Sequence, residues 1–192
     1  MKRSALLAGV LALAAPLALA QTSTWKSDSA HSEVDFSIKH LSLSNVHGRF
    51  GNVAATVVLN EADIAKSAVT ATIDVGTIDT GVSSRDADLK SDTFFDVAKF
   101  PTATFVSTSV VKSGSGLTVS GNLTLHGVTK PVVLTVEGPT GPVEGMMDHK
   151  PHSGFSATTT LDRSAFGIGT KYGPVILGNE VKLTIELDVA KQ

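Results

Sequence analysis

The chain has 192 residues, no cysteine and a formal net charge of −2, with its charges scattered along the length. These facts exclude a disulfide scaffold and cysteine-based catalysis or metal binding, so stability must come from packing and sheet pairing. They also leave no basic run that would point to nucleic acid or to anionic lipid headgroups.

The first twenty residues read as an export signal. Lys2 and Arg3 form a positive start, and the stretch from Ala5 to Ala20 carries no charge. Ala18-Leu19-Ala20 then places small residues where a signal peptidase cuts, with Gln21 as the expected new N-terminus. The apolar stretch is shorter than the roughly 20 residues that span a bilayer. No cysteine follows it to carry a lipid, so no stable membrane anchor is expected. The expected mature chain, 21–192, is one domain, slightly more acidic without Lys2 and Arg3, and its expected location is the periplasm.

Beyond the signal, period two dominates. In Val34-Asp35-Phe36-Ser37-Ile38-Lys39 every second residue is apolar, and Val181, Leu183, Ile185, Leu187 and Val189 repeat the pattern near the C-terminus. A strand sends successive side chains to opposite faces, so each run has one oily face and one wet face. Six more strand-like runs lie between them, at 54–59, 69–75, 104–111, 117–125, 132–137 and 155–161. Ser113 to Gly116 reads as a hairpin loop, and His126-Gly127 opens the next connection, with Pro131 at a strand start.

One segment departs from this pattern. Between Ser83 and Lys99, Ser84 is placed to cap a short helix with Asp86 in its first turn. A second turn carrying Phe94, Phe95 and Val97 would stop at Phe100-Pro101. Glu61 to Lys66 is a helical candidate too short to matter. The expected fold is all-β: one closed antiparallel barrel or sandwich of about eight strands, with one or two short helices against an opening or flank.

Catalytic and cofactor signatures are missing. There is no Gly-x-Ser-x-Gly elbow, P-loop or glycine-rich phosphate fingerprint, and no cofactor or enzymatic activity is expected. His31 and His40 flank the first alternating run, with His40 on its apolar side, and His47 and His126 sit beside glycines in expected turns. The sharpest metal candidate is the loop from Met146 to His152, where His149 and His152 with Met or Asp are ligand types for copper or zinc. Asp86 and Asp88 are the densest carboxylates near the expected opening, with Arg85 and Arg163 as residue types that would neutralise them. A redox or acid–base enzyme acting on a bound quinone would need His40 with Asp86.

An apolar inner face is filled by its own side chains or encloses something else, and barrels of about eight strands sit at that boundary. Tyr and Trp occur once each, so few very large side chains are present to plug the interior. The residues expected to line a lumen are Val34, Phe36, Ile38, His40, Phe50 and Ile73. Phe105, Leu123, Leu125, Val181, Leu183 and Ile185 join them, and Phe94 and Phe95 are placed to close one end.

Four stretches in order carry a resemblance. They are Asp28-Ser29-Ala30-His31-Ser32 through His40-Leu41 with Gly48-Arg49-Phe50; Ile78-Asp79-Thr80-Gly81 to Arg85-Asp86, then Phe94-Phe95-Asp96 and Phe100-Pro101; Gly121-Asn122-Leu123-Thr124-Leu125-His126-Gly127; and Gly154-Phe155 with Asp162-Arg163-Ser164-Ala165-Phe166-Gly167. Together the chain resembles the YceI-like family of periplasmic proteins over essentially its whole mature length. The resemblance implies a lipocalin-like antiparallel barrel that binds a polyisoprenoid or isoprenoid-quinone-like lipid in its lumen, and a homodimer. Arg85, Asp86, Asp88 and Arg163 are the candidates for the rim that meets a headgroup. The family often has His where this chain has Asp88, which bears on headgroup preference. Sequestration of other lipophilic or stress compounds, and a metal-binding module at 146–152, are the alternatives.

Overall fold

The computed structural model describes residues 22–192, so the export signal expected over residues 1–20 lies outside the described residues. The alternating runs become β2 (Glu33–His40), β4 (Val53–Asn60), β5 (Ala68–Asp74), β6 (Thr102–Ser113), β7 (Gly116–Leu125), β8 (Val128–Glu144), β9 (Pro151–Asp162) and β10 (Leu177–Lys191). Two further strands, β1 (Thr22–Ser27) and β3 (Ser44–Phe50), complete the set. All pair antiparallel in the order β1-β4-β5-β6-β7-β8-β9-β10, and β1 pairs back onto β10 to close an eight-strand ring. The expected barrel is observed.

The two additional strands are halves of bent staves. β1 and β2 lie in series along one edge of β10: Trp25 to Ser27 pair with Lys191 to Val189, and Glu33 to His40 continue from Glu186 to Leu177. The break between them is held where the Asp28 N–H donates to the Asp188 carbonyl at 2.8 Å. Their partners, β4 and β3, are likewise consecutive in the chain, joined through Gly51-Asn52.

The tight turns match their residues. β7 and β8 are joined by His126 and Gly127 alone, both at positive φ (52° and 73°), as a two-residue hairpin turn requires. Pro131 sits inside β8, not at its start. Pairing of β8 with β9 begins only at Thr135, so Pro131 lies where the strand has a neighbour on one side.

Other expectations are corrected. His47 is in β3, opposite Ser37, and not in a turn. Helix α1 (Ser83–Lys90) starts one residue early with Val82 as its N-cap, so Ser84 caps nothing, while Asp86 does fall in the first turn. Phe94 and Phe95 lie in successive turns, tied by the Phe95 N–H to the Leu89 carbonyl at 3.0 Å, and not in a second helix. Glu61 to Lys66 yields one short 3-10 turn, Ile64–Lys66, but it does matter: Ile64 packs against both apolar clusters of the interior. That end of the tube also holds Trp25, Val57, Leu59 and a fully buried Val189.

Candidate functional site

The barrel is hollow. Its interior divides into an upper chamber of about 280 Å³ and a lower one of about 120 Å³. Val34, Ile73, Leu123 and Leu183 border both and form a waist between them. Ile64, Leu59 and Val69 lie round the lower chamber, at the end where the 3-10 turn packs. His40 and Asp88 line the upper chamber and are exposed, so it opens beside the end of β2 and α1.

The wall explains why the space is unfilled. Phe36, Ile38, Phe50, Ile73, Val181, Leu183 and Ile185 line the chambers yet are only half-buried, because part of each side chain borders the void. Every residue expected in the lumen borders a chamber. Val34, Phe36, Ile38, His40, Phe50, Phe94 and Phe95 lie on the upper one, with Leu125 and Val181. Phe105 and Ile185 lie on the lower one. One side of the upper chamber is an aromatic run: Phe36 to Phe50 and Phe50 to Phe95 each stand at 5.6 Å between ring centroids. Phe94 stacks on Tyr172 at the same separation.

Some lining residues were not anticipated. Val57, Leu59, Val132, Val136 and Ala157 follow the same alternation as the runs already recognised and could have been counted from it. Phe166, Ile168, Tyr172 and Leu177 could not. The first three come from the segment between β9 and β10, which folds back over the open end, and Leu177 opens β10 across a break in its register, so no periodicity marks them.

The polar residues behave differently from expectation. Arg163 borders the upper chamber as Arg85 and Asp88 do, but it is not an exposed rim cation: it is 4% exposed. Its Nε donates to the Gly178 carbonyl, Nη1 to those of Ile168 and Gly169, and Nη2 to those of Tyr172 and Leu177, all within 2.9 Å. All five N–H groups are thereby used on backbone, and none remains for a carboxylate or a headgroup. Burial draws its pKa below the usual arginine value, against the pull of neighbouring Asp162. Arg163 is the pin of the β9–β10 segment.

Arg85 and Asp86 do not pair as a neutralised carboxylate cluster. Both converge on Thr80: Arg85 donates to its carbonyl at 2.8 Å and its Oγ1 at 2.7 Å, and Asp86 accepts from its N–H at 2.9 Å. Asp86 thus serves the loop before α1, whereas Arg85 and Asp88 do border the upper chamber. His40 borders it too, but Asp86 does not, so the acid–base pair a quinone enzyme would need is not assembled there.

At the opposite end His149 and His152 engage separate carboxylates. His149 Nδ1 meets Glu144 at 3.1 Å, while His152 Nδ1 meets Asp188 at 2.7 Å and its Nε2 meets Asp148 at 3.2 Å. Among the described residues no group of three or more His, Cys, Asp or Glu is arranged to hold a metal ion. Of the remaining histidines, His31 bonds Asp28 at 2.9 Å, and His126 bonds the Phe166 carbonyl at 3.0 Å with its ring against Phe100.

A closed antiparallel barrel with a two-chambered apolar interior, open beside a short helix, is a lipocalin-like architecture. The chain belongs to the YceI-like family: the YceI-like domain model matches residues 25–189. Protein YceI of Salmonella newport is 39% identical over 165 residues, covering 84% of this chain and 83% of that protein. Among solved structures, Burkholderia cenocepacia BcnA superposes with a TM-score of 0.74 at 27% identity, covering 84% of this chain and 98% of that one. A polyisoprenoid binding domain from Saccharophagus degradans, implicated in plant cell wall breakdown, shares the fold with a TM-score of 0.62 at 15% identity, over 90% and 100% of the two chains.

Proposed function

We propose that this protein is a periplasmic carrier that solubilises a long isoprenoid chain, a polyprenyl or prenyl-quinone type of lipid, inside its barrel and performs no chemistry on it. The observation that carries this reading is the continuous apolar wall of the two chambers, from the opening at His40 and Asp88 down to Ile64. The polyisoprenoid-binding neighbour of the same fold points the same way. The export signal read at residues 1–20 is the basis for the periplasmic assignment.

The driving force needs no specific polar contact. Each methylene removed from water contributes about 0.8 kcal/mol. At a drug-like efficiency of roughly 0.3 kcal/mol per heavy atom, a chain of about 40 carbons would gain around 12 kcal/mol, near nanomolar affinity. To occupy both chambers such a chain must part the waist at Val34, Ile73, Leu123 and Leu183. Methyl-branched isoprene units suit a wall of Val, Ile, Leu and Phe, and a headgroup would remain at the opening beside Arg85 and Asp88.

Organic extraction and mass spectrometry of protein purified from periplasm tests this directly. A prenyl lipid at near one per protein is the expected result. Its absence, with apo protein that ignores prenyl alcohols in titration, would end the proposal. Phe36→Asp places a charge on the void wall. It is expected to abolish loading while the barrel still folds, because Phe36 is only half-buried.

A further inference from the structure

The open end of the barrel carries an apolar tip that the lumen does not use. Leu43 is 80% exposed and Val175 70% exposed, with Leu41 and Ile176 about half exposed beside them. They form one surface: the Leu41 N–H donates to the Ile176 carbonyl at 2.8 Å, and Ser42 Oγ donates to the Val175 carbonyl at 3.2 Å. Single exposed leucines are ordinary, but four contiguous large aliphatics on a tip are a marker of docking. Leu41 also sits at φ 51° and Ser42 at φ 58°. Positive φ is unusual for a bulky residue, and such strain is retained where the surroundings hold it in place.

The tip adjoins the opening. His40, next to Leu41, and Leu177, next to Ile176, both line the upper chamber.

Charge is segregated to match. No Asp or Glu occurs between Asp35 and Glu61 or between Asp162 and Glu180, the two segments that build the tip. Within them lie Lys39 and Lys171, both exposed, together with His40 and His47, while Arg49 is paired with Glu33 and Asp79 lower on the wall. The exposed apolar pair at the far end of the barrel has acids beside it instead. Met146 and Met147 are the most exposed large hydrophobic residues described, and Glu144 and Asp148 flank them. Across the opening α1 carries the exposed Asp88, so the positive charge belongs to the tip's own two segments and not to the whole end of the barrel.

We infer that the Leu41–Leu43 and Val175–Ile176 tip is a membrane-docking surface, which seats the opening of the barrel on an anionic phospholipid bilayer. The aliphatic side chains enter the interface while Lys39 and Lys171 meet the headgroups, as for other peripheral proteins that combine apolar insertion with basic residues. The two segments that build the tip carry Lys39 and Lys171 and no acid, which favours this occupant over a second copy of the chain, whose tip would set like charges face to face. The inference deepens the carrier reading, because a chain could then pass between bilayer and lumen without crossing water.

The test is vesicle flotation of the mature protein with liposomes that contain no isoprenoid, made of phosphatidylcholine alone or with about a third phosphatidylglycerol. The expected result is flotation with the anionic vesicles, weakened by salt. Leu43→Asp with Val175→Asp should abolish flotation, and Lys39→Glu should reduce it at least about fivefold. Met146→Asp with Met147→Asp should leave it unchanged. All these positions are strongly exposed, so folding is not at risk, and circular dichroism checks it. Soluble prenyl-alcohol binding, measured in parallel without vesicles, should be the same in the tip variant. Docking without prenyl binding would overturn the carrier reading and leave the surface standing. No flotation, or equal loss from the Met146/Met147 variant, overturns the surface. So does a tip variant that dissociates a dimer in ultracentrifugation without altering flotation, because the occupant is then a second copy.

Discussion

Phe36 and Gly48 face each other across the β2–β3 pair, and the ring of Phe36 occupies the space a side chain at 48 would need. A methyl group there would lie 2.5 Å from Cζ and 2.7 Å from Cε1 of the ring, and 2.8 Å from Cγ2 of Thr80. A strand glycine usually weakens a sheet, and here it is what lets an aromatic lie flat along the wall. Gly121 plays the same part under Phe105 in the lower chamber.

Gly48→Ala is therefore expected to push the Phe36 ring into the upper chamber. Overpacking of this kind costs about 1–3 kcal/mol, so Tm should fall by several degrees. The distinguishing result is a loss of prenyl-alcohol affinity that exceeds the loss in a control such as Gly51→Ala, where a methyl meets nothing within 4 Å.

The waist offers a length gauge. Ile73→Phe should seal the lower chamber from the upper one, since Ile73 borders both. Affinity for a short prenyl alcohol should stay nearly constant, while the gain from each added five-carbon unit, about 1.5 kcal/mol or roughly tenfold in the open barrel, should vanish beyond a fixed length. A titration series of increasing chain length reads this directly.

Arg163 sets a different kind of limit. Removing it by Arg163→Ala leaves five carbonyls in the 168–178 segment without their donor. Losing the charged partner of such a buried group costs about 3–5 kcal/mol, or on the order of 10 °C in Tm for a chain of this size. Arg163→Lys, with three donors on one nitrogen, should recover only part of this. Hydrogen exchange should rise first at the backbone N–H groups of Gly169 and Tyr172.

His152 makes the far end of the barrel pH-sensitive. Both ring nitrogens face carboxylates, chiefly Asp188 and then Asp148, and this raises its pKa above the usual imidazole value of 6.5. An imidazolium can donate to both, a neutral ring to only one. The clamp on the 145–150 loop is thus complete below 6.5 and is lost as pH rises through the higher folded value. An NMR titration should place His152 above a free histidine, and Asp188→Asn should bring it down. A value at or below 6.5 in the native protein would contradict the clamp.

Much of this was readable from the residues. Strict alternation in 34–39 and 181–189 identified both the strands and their inward faces, because the pleat leaves no freedom once one residue is assigned. β3 was hidden by its composition: Ser-Asn-Val-His-Gly-Arg-Phe has a turn-like glycine whose purpose lies on the facing strand. Arg163 was misplaced because an arginine is normally exposed, and the five carbonyls that bury it belong to a segment whose path over the barrel end no local pattern encodes. The apolar tip was missed for a related reason, since Leu41 and Ile176 meet only after β2 and β10 have paired.

The seam between β1 and β10 has a consequence for biogenesis. β10, last in chain order among the described strands, pairs with β1, the first of them, and also with β9 and β2. Until residues 177–191 are available, the nascent sheet has two raw edges and a greasy concave face open to solvent. Such a polypeptide cannot mature piecemeal during synthesis and depends on sequence-distant contacts, which form slowly. A truncation at residue 176 should therefore yield an aggregating product, not a shorter barrel.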